Sequence, residues 1–162
     1  WLLNETAVAG FRSFARLSPP LRSDADRRAV AAGLADGTIT VIASGHDPRT
    51  QEDKRLPFAD AMPGMAGAET LLSLSLSLVQ SGAMTLAAVL AAMTSAPATL
   101  FGLPGGTLAP GAPADLVIFD ESAPWRIDGD AFAGAGNTPF NGLPVSGQVR
   151  MTIKGGDVVW RN

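Results

Sequence analysis

The stretch "SDADRRAVAAGLADGTITVIASGHDP", residues 23–48, carries two kinds of patterning in succession. Ser23, followed by Asp24 and Asp26, reads as an N-cap with acidic residues in the first turn. Ala29, Val30 and Leu34 recur at helical spacing, and Gly37 stops the helix. "TITVIAS", residues 38–44, then predicts a short, mostly apolar β-strand of the kind buried on both faces of a parallel sheet. A helix feeding directly into such a strand predicts an α/β fold. The strand runs out into the turn Gly45-His46-Asp47-Pro48, which holds the chain's only histidine.

Upstream, residues 1–22 read as an irregular connection. It ends in "LSPPLR", where consecutive prolines keep Ser18 and Pro19 extended and out of a helix. No capping or turn signal precedes the apolar "WLLN" at the start, so the chain is expected to begin inside a fold. Downstream, residues 67–80 and 85–93 carry helical patterns, the second capped by Thr85 after a break at Gly82. "TSAPATLFGL" predicts a third, short helix, with Pro97 near its first turn and Gly102 at its end. From Gly105 the texture changes to β: a run over residues 115–120 and a hairpin over 147–160 that turns at Gly155-Gly156. The expected organisation is an α/β part over 1–103 and a β-rich part over 104–162.

Composition narrows the function classes. With 162 residues and 46% hydrophobic content, the chain is long and apolar enough to bury the core of one ordinary domain or two small ones. The apolar runs at 71–79 and 86–93 are too short and too interrupted to cross a bilayer. The absence of cysteine excludes disulfides, thiolate nucleophiles and cysteine-bound metal, and agrees with a cytoplasmic home. A net charge of -3 with dispersed Lys and Arg leaves no basic stripe for nucleic acid. No internal repeat, phosphate loop, nucleophile elbow or dinucleotide fingerprint is present. The methionines are scattered and read as core filler.

Ordered motifs along nearly the whole chain resemble the C-terminal part of a bacterial dihydroorotase, a member of the amidohydrolase superfamily. "LSPPLRSDADRRAVAAGLADGTITVIASGHDP" is similar to the family's Asn-Pro-Pro-Leu-Arg segment, its helix, and the last barrel strand leading to Asp-His-Ala-Pro-His. "AMPGMAGAET" is similar to the substrate loop and helix start that follow, and "SAPATLFGL" to Asn-Pro-Ala-x-x-Phe-Gly-Leu. "GTLAPGAPADLVIFD", "NTPFNG" and "GQVRMTIKGGDVV" match the composite β-domain beside such barrels. The resemblance implies the last strands and helices of a (β/α)8 TIM-type barrel over 1–103, with part of a small composite β-domain over 104–162. It also implies zinc in the intact family member, held by a His-x-His pair on the first strand, further histidines on central strands and an aspartate after the eighth. None of those upstream ligands lies in these residues, so no metal ligand is expected in this chain. The implied partners are the remainder of its own barrel and further copies of itself.

At the position of that aspartate, which in the family ligates metal and moves a proton, this sequence has Gly45. Asp47, two residues on, is a weak substitute, because the offset moves the carboxylate by several ångströms against a sub-ångström tolerance. His46 reads as a hydrogen-bonded structural residue, since one histidine makes no zinc site. Arg49 stands where the family has a substrate-touching histidine and suits a carboxylated ligand; a solvated loop arginine is the plainer reading. Ser18 replaces the family's substrate-contacting asparagine and lacks its paired donor and acceptor. Pro63 and Gly64 belong to a loop that lets backbone approach a small planar substrate, although a helix-leading turn explains the residues nearly as well. Asp24, Asp26 and Glu69 read as helix-start carboxylates, and Asp115 as structural.

Two functions follow from the resemblance. The first is a cyclic amidohydrolase that interconverts N-carbamoyl-aspartate and dihydroorotate in pyrimidine synthesis, with a hydantoin-like ring as a lesser variant. The second is a catalytically inactive homologue that serves as a scaffold for aspartate transcarbamoylase, supported by the departures at Gly45, Ser18 and Arg49. The enzyme reading is favoured for the intact protein, while the present chain alone is expected to be inactive.

Overall fold

A computed structural model describes residues 1–162. Residues 1–22 run as a connection with single 3-10 turns at Glu5–Val8 and Ser13–Ala15. Helix α1 (Asp24–Asp36) begins where the sequence places it, on a reciprocal cap. The Ser23 hydroxyl accepts from the Asp26 amide at 3.2 Å, and the Asp26 carboxylate accepts from the Ser23 amide at 3.1 Å. Gly37 ends the helix in the left-handed region, φ 84°. Asp24 pairs with Arg27 at 2.7 Å and Arg28 at 2.6 Å along the exposed side. Leu34 turns inward.

The predicted strand over 38–44 does not form. Its backbone is tied to helices, not to strands: the Ile39 amide donates to the Gly33 carbonyl at 2.8 Å and the Ile42 amide to the Ala92 carbonyl at 2.9 Å. A parallel strand is defined by ladders to its neighbours, and no other strand of this chain lies alongside. Only Ile42 of the run is buried, packing with Leu34, Leu78, Val89 and Ala92. The chain is therefore α/β in composition, but its one sheet is antiparallel and C-terminal.

After the 45–49 loop comes a helix that the sequence patterning does not announce, α2 (Gln51–Arg55), capped by the Thr50 hydroxyl, which accepts from the Asp53 amide at 3.2 Å. The pattern over 67–80 resolves into a 3-10 turn, Ala68–Thr70, followed by α3 (Leu71–Gln80). Helix α3 is the central element, with Ser73, Leu74, Ser75, Leu76 and Leu78 all buried. Helix α4 (Leu86–Met93) starts on Thr85, whose hydroxyl accepts from the Ala88 amide at 3.2 Å. Helix α5 (Ser95–Phe101) stops at Gly102 in the left-handed region. No helix is long and apolar enough to cross a membrane.

The β part is a three-stranded antiparallel sheet of β1 (Leu116–Arg126), β2 (Pro144–Lys154) and β3 (Asp157–Arg161) in the order β1-β2-β3. Strand β1 is longer than the predicted 115–120 run because it continues past an irregularity between Asp120 and Pro124 to pair Arg126 with Pro144. The β2–β3 hairpin turns at Gly155-Gly156, both at positive φ, as a type I′ turn requires. Asp115 braces that turn, accepting from the Gly155 amide at 2.8 Å and from the Lys154 ammonium.

Helix α3 joins the two parts. The Ser73 hydroxyl donates to the Gly147 carbonyl at 2.6 Å, and the Trp125 indole donates to both the Ser73 oxygen and the Gly147 carbonyl at 3.1 Å. Leu74 packs against Ile127 and Phe140 in a second apolar cluster.

Candidate functional site

The loops 45–49 and 61–67 lie side by side, joined by a parallel bridge between His46 and Met65 in which the Asp47 amide donates to the Met65 carbonyl at 2.8 Å. Gly45 stands at the rim with φ 59°, and a Cβ built there would meet only the Met65 methyl, at 3.9 Å. Packing therefore leaves room for a side chain at this position.

His46 has a defined task. Its Nδ1 accepts from the amides of Gly67 and Ala68 at 3.2 and 3.1 Å, capping the turn that leads into α3. That leaves the ring proton of the neutral imidazole on Nε2. Asp47 and Arg49 are paired with each other, carboxylate to guanidinium at 2.5 Å. The Arg49 Nε also donates to the Pro63 carbonyl at 2.8 Å. Gly64 is buried at φ 131°, and a Cβ there would collide with the carbonyl oxygen of Asp47. The glycine is required by the approach of the neighbouring loop. Ser18 is exposed, and no hydrogen bond joins its hydroxyl to this group. The tie between its segment and the loops is Arg16, whose carbonyl accepts from the Gly64 amide at 3.1 Å. Thus Gly45, Asp47, Arg49, Pro63 and Gly64 are brought together, with Ser18 apart.

Two residues at the centre of this network carry no role in the sequence patterning. Lys54, on α2, is completely buried. Its ammonium donates to the carbonyls of Arg16 at 3.2 Å, Met62 at 2.9 Å and Gly64 at 2.9 Å. Burial, and then the nearby Arg16 and Arg49 guanidiniums, hold Lys54 below the usual lysine range, with Asp47 opposing. Asn137, from the "NTPFNG" segment, is also buried. Its Oδ1 accepts from the Arg49 amide at 2.8 Å, its Nδ2 donates to the Gly64 carbonyl at 3.2 Å, and its own carbonyl accepts from the Ala66 amide at 2.9 Å. One amide side chain thereby locks both loops together.

Beside the loops lies a mostly apolar cavity of about 170 Å³, bounded by Leu3, Leu17, Leu21, Met65, Leu74 and Phe140 among others. Zinc does not fit the residues of this chain by themselves. The one imidazole commits its Nδ1 to two amides, the adjacent carboxylate is engaged by Arg49, a glycine holds the rim, and no three potential ligands cluster anywhere in the chain.

The amidohydrolase family model matches residues 7–159. The chain belongs to the amidohydrolase family. It is 42% identical over 160 residues to the dihydroorotase of Syntrophotalea carbinolica, a match covering 98% of this chain and 38% of that protein. The dihydroorotase of Anaplasma phagocytophilum is 43% identical over 162 residues, with 99% and 36% covered. Among solved amidohydrolase structures, the L-hydantoinase (dihydropyrimidinase) from Arthrobacter aurescens superposes with a TM-score of 0.89 at 30% identity, covering 98% of this chain and 37% of that one. The dihydropyrimidinase from Brevibacillus agri gives 0.88 at 27%, with 99% and 37% covered. The chain thus spans little more than a third of the length of the curated relatives it matches. The resemblance carried by the ordered motifs holds at the level of the family.

Proposed function

We propose that the intact protein is a dihydroorotase-type cyclic amidohydrolase that interconverts N-carbamoyl-aspartate and dihydroorotate in pyrimidine synthesis, and that residues 1–162 supply the ligand-side loops of its site. The observation that carries this reading is the similarity to dihydroorotases above 40% identity across 98–99% of the chain, including both joined loops. The same similarity favours an enzyme over a scaffold for aspartate transcarbamoylase. The hydantoinase and dihydropyrimidinase likeness lies at lower identity and supports the cyclic amide as the shared substrate class.

In this reading the loop around Pro63 and Gly64 lies against the planar ring, and Arg49, already at the rim, addresses the ligand carboxylate. Ser18 lies on the facing segment. Gly45 contributes no base, and Asp47 lies two residues away with one carboxylate oxygen paired to Arg49, so proton transfer falls to a group beyond this chain. Zinc belongs to the intact protein, held by residues outside 1–162, and the rest of that polypeptide covers the apolar cavity. Assay of the full-length protein in both directions, together with metal analysis of the purified material, tests the proposal. Turnover with bound zinc is expected. Metal-free protein with no turnover on added zinc would remove the reading, and co-purifying transcarbamoylase in that case would restore the scaffold.

A further inference from the structure

The Lys54 ammonium is fully buried, yet it takes part in none of the ion pairs of the chain. Removing a charge from water without a paired counter-charge is expensive, and two neighbouring guanidiniums add to the cost while Asp47 offsets a smaller part of it. An apolar side chain of similar length would spare that cost but leave the Met62 carbonyl without a donor, so what sets the lysine apart is the carbonyls it holds. What the ammonium provides is direction. Its three donors meet three main-chain carbonyls, two of them on the 62–64 loop. Between those two, the Pro63 carbonyl is held by Arg49, and the Gly64 carbonyl accepts from Asn137 as well as from Lys54. Three consecutive carbonyls are therefore turned toward cations or an amide donor. The Gly64–Met65 peptide is trans, so the Met65 N–H points opposite to the Gly64 carbonyl, away from Lys54. Met65 is the residue bridged to His46 beside the open rim at Gly45.

We propose that Lys54 is a positioning residue for ligand binding: by holding the carbonyls of Met62 and Gly64 it fixes the direction of the Gly64–Met65 peptide at the site rim. This rests on the reading that the 62–65 loop lies against the cyclic amide. Lys54 acts through the backbone and touches no ligand.

The test uses full-length protein carrying Lys54→Met, with Leu34→Ala as a control that weakens the core away from the loops. A purely structural lysine would lower the folded fraction, and hence the apparent kcat, at unchanged KM. A positioning lysine raises the KM for dihydroorotate by about tenfold or more, while Leu34→Ala leaves it within about twofold. A KM unmoved by Lys54→Met overturns the proposal. Amide exchange is read on the same ligand-free proteins. The amides of Gly64 and Ala66 should exchange about tenfold faster in Lys54→Met while those of α1 do not change, and equal protection overturns the proposal. Should Lys54→Met fail to fold, Lys54→Gln, which keeps two donors and sheds the charge, is read in the same way. If the wild-type protein neither turns over nor binds dihydroorotate, the assigned substrate falls, and the exchange measurement alone decides the role of Lys54.

Discussion

At Gly45 the backbone lies in the left-handed region, which aspartate and asparagine tolerate better than most residues, and the space above it is open. Gly45→Asp in the full-length protein should therefore fold, at a cost of about 1 kcal/mol. Because proton transfer is assigned to a group beyond this chain, kcat/KM for dihydroorotate should stay within about threefold, against the roughly hundredfold or more that filling a vacant base role would give. A gain of about a hundredfold in a folded variant would show that the role stands vacant and would overturn that assignment. Gly64 is the opposite case, since an added methyl meets the Asp47 carbonyl. Gly64→Ala should cost about 2–3 kcal/mol in urea unfolding. For Lys54, the folded state holds the proton more weakly than the unfolded chain does. The unfolded chain then binds more protons between the lowered value and that of a free lysine, so stability rises with pH across that alkaline window, and the cost of the buried charge is complete below it. The urea midpoint of the wild type should accordingly gain on that of Lys54→Met as the pH is raised toward the free-lysine value, and a constant difference would contradict the assigned cause. The sequence hides this residue because a lysine within the charged run "QEDKR" carries no local sign of burial. Only the carbonyls of Arg16, Met62 and Gly64, supplied from other parts of the chain, make position 54 an interior one.

Elements with local causes are legible in the sequence itself. Ser23, Thr85, Gly37 and Gly102 mark helix ends because caps act within a few residues, and Gly155-Gly156 marks the hairpin for the same reason. Ser23→Ala should cost about 1 kcal/mol of stability, read as a lowered thermal midpoint. The run over 38–44 misleads because an apolar β-branched segment states only that its residues want burial, while a strand also needs partners. Asn137 stands inside the "NTPFNG" motif, but its role depends on contacts with residues some seventy to ninety positions earlier, and spacing carries no trace of those.

For the whole molecule, the burial is thin. Only 24 of 162 residues are buried, and Leu100, Phe101, Leu108 and Val159 are 60–85% exposed. In the proposed reading this apolar surface, together with the cavity beside the loops, is covered by the rest of the polypeptide. Residues 1–162 expressed by themselves should self-associate and melt without a single cooperative transition, as followed by sedimentation and calorimetry. A monodisperse product with one sharp transition would contradict this.

The reach of Asn137 has a consequence for anyone who trims or grafts this protein. A piece that stops before the sheet retains Gly45, Asp47, Arg49, Pro63 and Gly64, and a fragment library would score it as complete at the rim. It has lost the amide that ties Arg49 to Gly64. Shortening the tail thus unfastens the mouth, and the three-stranded sheet earns its place by delivering one side chain back across the fold.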